Sequence, residues 1–93
     1  MATGKAELAK AISQKTGATQ KQATEFINSF IDTVEEKLMQ GEKVQLVGFG
    51  TFMTRRRESR EGRKPGTGEK INIPASTVPV FKAGTSLKEK LNS

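Results

Sequence analysis

Cysteine, histidine, tryptophan and tyrosine are all absent from this chain. Without cysteine there is neither a disulfide nor a thiolate metal site to brace the fold. Without histidine or cysteine the commonest general bases, nucleophiles and metal ligands are missing, and no metal-ligand spacing occurs. The acids of the second helix, Glu25, Asp32, Glu35 and Glu36, are scattered over positions that read as a solvated face. No enzyme, and no cofactor, is expected. The first twenty residues lack a continuous apolar run, so nothing reads as a signal peptide. No segment is long enough to span a bilayer. The expectation is a soluble protein of the cytoplasm with no membrane partner. Phosphate loops are excluded too: neither Gly48-Phe49-Gly50 nor the glycines of Gly62–Lys70 lead into the lysine-hydroxyl pair of that motif.

What the chain does have is positive charge in one place. Its 93 residues, enough for one domain, carry a net charge of +6. Residues 1–41 hold five lysines and five acids, and cancel. Residues 42–93 hold eleven basic and five acidic residues, so the whole excess of six lies there. A block of that kind suits a polyanion, nucleic acid first and an anionic membrane surface second.

The excess is concentrated between Arg55 and Thr77, where the first half contains no large apolar residue. Gly62, Pro65, Gly66 and Gly68 supply turn formers at the middle. The flanks, Gly50–Arg60 and Ile71–Lys82, have strand-like composition. The stretch reads as a β-ribbon that folds back near Pro65 and projects from a compact body; a disordered basic loop is the simpler alternative. A projecting basic ribbon suits a groove of DNA. Strict alternation places Arg55, Arg57 and Ser59 on one face and Arg56, Glu58 and Arg60 on the other. Arg60 would join Arg55 and Arg57 only through a bulge or a strong twist. Pro65 has two readings. It fixes φ ahead of Gly66 in a turn, or its rigid ring wedges between base pairs.

Around the ribbon the pattern predicts α-α-β-β-β-α. A first helix opens at Thr3 or Gly4 and stops at Thr16-Gly17. Thr19 and Gln22 form a capping box for a second helix reaching about Gln40. That helix carries a wide apolar stripe, including Phe26, Ile27, Phe30, Ile31 and Val34. The first helix is too short to cover it, so the stripe must meet a sheet or a second subunit; plain core is the preferred reading. Glu42–Val47 reads as a short strand with Leu46 on its inner face, followed by a tight Gly48-Phe49-Gly50 turn. Pro74 and Pro79 argue for an edge strand or a bulge. A last short helix runs from Thr85 to about Leu91. With the ribbon outside, roughly seventy residues remain for the body, which is only marginally stable alone. With no staple available, an obligate dimer is expected.

Taken together, Gly48-Phe49-Gly50-Thr51-Phe52, the series Arg55, Arg57 and Arg60, Gly62-Arg63-x-Pro65, Ile71-x-Ile73-Pro74 and Pro79-x-Phe81-x-x-Gly84 resemble the bacterial histone-like HU/IHF family. The similarity covers nearly the whole chain. It implies an α+β fold, with a helical body, a three-stranded antiparallel sheet and a long protruding β-ribbon arm at about residues 55–77, in an intertwined dimer. Residues 1–41 would be the helical dimerisation part and residues 42–93 the sheet, arm and C-terminal helix of one histone-like domain. By the same resemblance Pro65 is an intercalating wedge, while Arg55, Arg57, Arg60, Arg63 and Lys70 line the arm. Lys82, Thr85 and Lys88 fall where a saddle meets phosphates, and Lys5 lies near flanking DNA. Phe26, Ile27, Phe30, Ile31, Val34, Leu46, Phe49, Phe52 and Phe81 would form the dimer and core.

The implied partner is double-stranded DNA, preferably bent, nicked or distorted, in the bacterial nucleoid. Two positions depart from the pattern: Lys64 stands where the family usually has asparagine, adding a charge to the tip, and Thr85 stands where a basic residue is common. HU-like proteins bind with little sequence preference, and the length and self-complementary stripe favour that type, as a homodimer. The alternatives are a sequence-specific IHF-like subunit, or a basic surface protein for other polyanions.

Overall fold

A computed structural model describes residues 2–93, with elements in the order α1 (Lys5–Thr16), α2 (Gln20–Met39), β1 (Val44–Leu46), β2 (Gly50–Arg57), β3 (Arg60–Arg63), β4 (Lys70–Ile73), β5 (Ser76–Ala83) and α3 (Thr85–Leu91). The chain divides into two compact units, one ending at Glu36 and the other spanning Lys37–Ser93.

In the first unit, helix ends follow the residues that favour them. Gly17 closes α1 at φ 79° and its N–H donates to the Ser13 carbonyl at 2.9 Å. The capping box forms in full. The Gln22 N–H donates to Thr19 Oγ1 at 3.0 Å, and the Thr19 N–H donates to Gln22 Oε1 at 2.9 Å. Two otherwise orphaned donors are thereby satisfied at the start of α2. The buried hydrophobic side chains among the described residues are both alanines, Ala9 on α1 and Ala23 on α2. The large apolar residues remain open. Leu8 and Ile12 of α1 and Phe26, Ile27, Phe30 and Ile31 of α2 line an apolar groove of about 480 Å³. Phe26 is 63% exposed and Phe30 46%. Plain core, the preferred reading of the sequence, is therefore not what a single chain makes of this stripe. An apolar ring left in water forgoes about 1.5–3 kcal/mol of burial.

The second unit begins with the end of α2. The Glu42 N–H reaches back to the Lys37 carbonyl at 3.0 Å and the Gly41 N–H to that of Leu38, also at 3.0 Å, with Gly41 at φ 80°. This pair of bonds is a Schellman closure. A Lys37–Glu42 ion pair at 3.7 Å lies across it. Glu42 is thus drawn into the helix end, and β1 starts at Val44 rather than at Glu42.

The sheet has the order β1-β2-β5 and is antiparallel throughout. β5 is an edge strand, which accommodates Pro79: it lacks an N–H and stands opposite Thr54. Pairing of Phe52 with Phe81 and of Gly50 with Ala83 brings three aromatic rings together. Ring centroids are 4.9 Å apart for Phe52–Phe81 and 5.3 Å for Phe49–Phe81, both tilted. Gly50 is buried here for want of space: a Cβ on it would stand 2.5 Å from the Phe81 ring and 2.7 Å from the Lys82 carbonyl oxygen. The Gly84 N–H donates to the Phe49 carbonyl at 2.8 Å, tying the start of α3 to the β1–β2 turn. Three separated sequence motifs therefore meet at one small cluster. Leu46 and Phe52 are half-buried, while Phe49 and Phe81 remain partly open.

Candidate nucleic-acid interface

Beyond the sheet, β3 and β4 pair with each other as a separate two-stranded ribbon. The register is continuous: Arg57 faces Ser76, and three residues on Arg60 faces Ile73. Between these pairs Glu58-Ser59 and Pro74-Ala75 leave the ladder, two residues from each strand. Pro74 cannot donate to a ladder, which accounts for a break at this place. No residue is inserted on one side only, so there is no bulge. The sequence allowed a bulge or twist to bring Arg60 to its neighbours. The break does this in part: Arg57 and Arg60 both line a hollow of about 360 Å³, with Glu58, Ile73, Pro74 and Ser76.

Strand alternation sorts the cations. Arg55 pairs with Val78, Arg57 with Ser76 and Thr51 with Lys82, so Arg55, Arg57 and Lys82 share one sheet face. Arg56 lies on the other, where its Nη1 donates to Thr77 Oγ1 at 3.4 Å. In the distal ribbon Arg60 shares a face with Gly62, Ile71 and Ile73. Arg63 and Lys70 stand directly opposite each other on the reverse face. Like charges so placed repel, at a cost of a few tenths of a kcal/mol or more. A polyanion between or beside them removes that cost.

At the tip, the Lys64 N–H donates to the Glu69 carbonyl at 2.8 Å and the Gly68 N–H to that of Lys64 at 3.0 Å. Arg63 Nη1 adds a bond to the Gly68 carbonyl at 3.2 Å. Gly66 and Gly68 take φ of 89° and 73°, a region that residues with a side chain avoid. Pro65 is the first residue of the turn, and it is exposed. It therefore occupies a turn position and presents its ring outward at once.

From Arg55 to Lys70 there are seven basic and three acidic residues, an excess of four. Among the described residues none of the seven is in an ion pair. No carboxylate competes for them there, and a guanidinium in such a place can fork onto a phosphate. Lys82, Thr85 and Lys88 are exposed at the end of β5 and on α3. In the first unit Lys5 opens α1, and its Nζ donates to Asn28 Oδ1 at 2.8 Å. The strand pattern gave no sign of Ser76 beside the arginines, nor the helical pattern any of Asn28 beside Lys5. Neither carries charge, and each is placed by a partner remote in sequence. Val34, assigned to the apolar stripe, is half-buried. No group of three or more acids or other metal-ligating side chains gathers among the described residues. No helix among them is long and apolar enough to cross a membrane.

An antiparallel sheet drawn out into a cationic ribbon fits the comparisons with known proteins. The family described as bacterial DNA-binding protein matches residues 3–92, which sets the class of this chain. It is 58% identical over 88 residues to the DNA-binding protein HU of Clostridium pasteurianum, spanning 95% of this chain and 97% of that protein. Against the DNA-binding protein HU of Thermus thermophilus it is 48% identical over 87 residues, 94% of this chain and 90% of that one. Its fold matches Anabaena HU in a cocrystal with DNA at a TM-score of 0.90 and 45% identity, covering 96% and 97% of the two chains. HU from Thermotoga maritima matches at 0.68 and 32%, covering 96% and 98%. The chain belongs to the bacterial HU family, as an architectural DNA-binding protein and not an enzyme.

Proposed function

We propose that this chain works as a homodimer that binds duplex DNA through the minor groove with little sequence preference, bends it by inserting Pro65, and so organises the bacterial nucleoid. The observation that carries the reading is the ribbon: seven cations without ion pairs among the described residues, leading to an exposed proline at the tip. Phosphate contacts from such a ribbon hold the protein on DNA without reading sequence. Arg55, Arg57, Arg60, Arg63, Lys64 and Lys70 supply them along the arm, Lys82, Thr85 and Lys88 from the saddle, and Lys5 toward flanking DNA. Wedging by an apolar tip is the established mode of HU and IHF proteins and is taken over from them. The open groove over Phe26, Phe30 and their neighbours supports the dimer, because a second copy presents the same apolar surface. All of residues 1–93 act as one histone-like domain in this scheme.

A wedge has to unstack a base step, at a cost of a few kcal/mol, recovered through the extra backbone a bent duplex brings against the protein. DNA that is nicked or mismatched is already partly unstacked, so it binds tighter than intact duplex. The test is Pro65→Ala, measured by end-to-end energy transfer on bent DNA and by gel shift on linear, nicked and mismatched duplexes. The bend angle falls and the preference for nicked DNA shrinks, while the salt dependence holds, since no phosphate contact is lost. An unaltered bend in a well-folded Pro65→Ala dimer returns the residue to the role of turn former. A protein that gripped polyanions diffusely would produce no bend even with Pro65 in place.

A further inference from the structure

We infer that Asn28 is a positioning residue for DNA binding, holding the Lys5 ammonium in place for a backbone phosphate without cancelling its charge. The inference rests on the proposed contact between Lys5 and flanking DNA, and adds to it a residue that no charge pattern reveals.

The Lys5–Asn28 bond, at 2.8 Å, is the one side-chain-to-side-chain hydrogen bond of the first unit among the described residues. It joins the first residue of α1 to the middle of α2 across 23 positions of sequence. Lys10, Lys15 and Lys21, on the same two helices, have no side-chain partner among the described residues. Lys37 has one, but it is the carboxylate of Glu42. Of the lysines on these two helices, Lys5 is the one held by a neutral group among the described residues.

Both residues are exposed, so water competes for this bond and its value to stability is small. Its consequence lies elsewhere. A lysine side chain is among the most mobile of all, and fixing it on a bound phosphate costs rotamer freedom. A partner that fixes it beforehand removes part of that cost from binding. A carboxylate would orient the ammonium equally well, but it would screen it, and DNA would have to displace the pair. The amide oxygen takes one of the three ammonium donors, leaving two N–H groups and the whole charge for an anion. The Asn28 Nδ2 group is left beside Lys5 with donors of its own.

The experiment is a double-mutant cycle on binding to a nicked duplex long enough to extend past the arms on both sides. The variants are Lys5→Ala, Asn28→Ala, the double variant and Asn28→Asp, each titrated across a salt series. Asn28→Ala weakens binding by about three- to tenfold in the presence of Lys5, and has no further effect once Lys5 is removed. Asn28→Asp, which keeps the tether but adds a competing charge, makes the salt dependence shallower by up to about two units in the dimer, about one for each Lys5, because a paired lysine releases no net counterion. An Asn28→Ala effect that persists in the Lys5→Ala background overturns the inference, since Asn28 then acts by itself. A neutral Asn28→Ala beside a harmful Lys5→Ala overturns it as well, and leaves the Lys5 contact standing. If Lys5→Ala has no effect, both the inference and the Lys5 contact fall, whereas the arm and its Pro65 test are untouched.

Discussion

Replacing Arg55 and Arg57 together with alanine removes two cations that share a sheet face with Lys82 and have no ion-pair partner among the described residues. If each meets a phosphate, each contributes about 0.9 to the slope of log affinity against log salt. The homodimer carries each substitution twice, so four contacts are lost and the slope is shallower by about 3.6. Between 50 and 200 mM salt the concentration changes fourfold, and four raised to 3.6 is about 150. The wild-type protein therefore loses about 150-fold more affinity over that range than the double variant does. Adding Lys82→Ala takes the difference to about 5.4 in slope, or roughly 1,800-fold. The control is Arg56→Ala: its guanidinium lies on the opposite face and already donates to Thr77. Fluorescence anisotropy titrations on two unrelated duplexes, at five or more salt concentrations, give the slopes. Phosphate contacts demand the same change on both sequences. An unchanged slope in the double variant, or an Arg56→Ala slope that falls as far, would refute the sorting of cations by strand face.

Gly50→Ala places a methyl group against the Phe81 ring and a backbone oxygen. Overpacking of that kind costs about 1–3 kcal/mol, which lowers the thermal midpoint by roughly 5–20 °C in circular dichroism at fixed protein concentration. Phe81→Leu in the same chain recovers only part of it, because the Lys82 carbonyl cannot move aside; full tolerance of Gly50→Ala would show that the site has room. For the dimer, sedimentation at micromolar concentration gives twice the mass of one chain, and the unfolding midpoint drops on dilution. A folded single-chain species persisting well below that range would count against it.

Local signals were legible where one short stretch decides the outcome. Thr19 and Gln22 announced their capping box, and both of its hydrogen bonds form. Gly17 and Gly41 announced the helix ends, and the HU-type motifs announced the sheet and ribbon. Pro74 and Pro79 were read as unfit for a central strand, and neither is in one. What the sequence could not show depends on residues far apart. Alternation carried through Glu58-Ser59 as if the strand were unbroken, because a missing ladder bond opposite Pro74 leaves no mark on the other strand. Likewise nothing in Gly50 itself says whether it turns the chain or yields space to a ring thirty-one positions on; only its pairing with Ala83 beside Phe81 decides that. Asn28 reads as an ordinary polar residue of a helix until Lys5 is placed next to it. Of the stripe on α2, the sequence stated its apolar character and its excess over what α1 can cover, but not that Phe26 would stay 63% exposed.

The matched break in the ribbon also limits how this arm can change over evolutionary time. Because Glu58-Ser59 and Pro74-Ala75 are equal in number, the distal pairs keep step with the proximal ones. Unless a bulge absorbs it, a one-residue insertion in either strand turns every distal side chain of that strand over, taking Arg63 and Lys70 from opposite each other to opposite faces. An arm built this way lengthens without a bulge only by paired additions, one residue in each strand. Its reach is inherited in discrete steps, and a lineage that gains residues singly has to spend the second one restoring the phase.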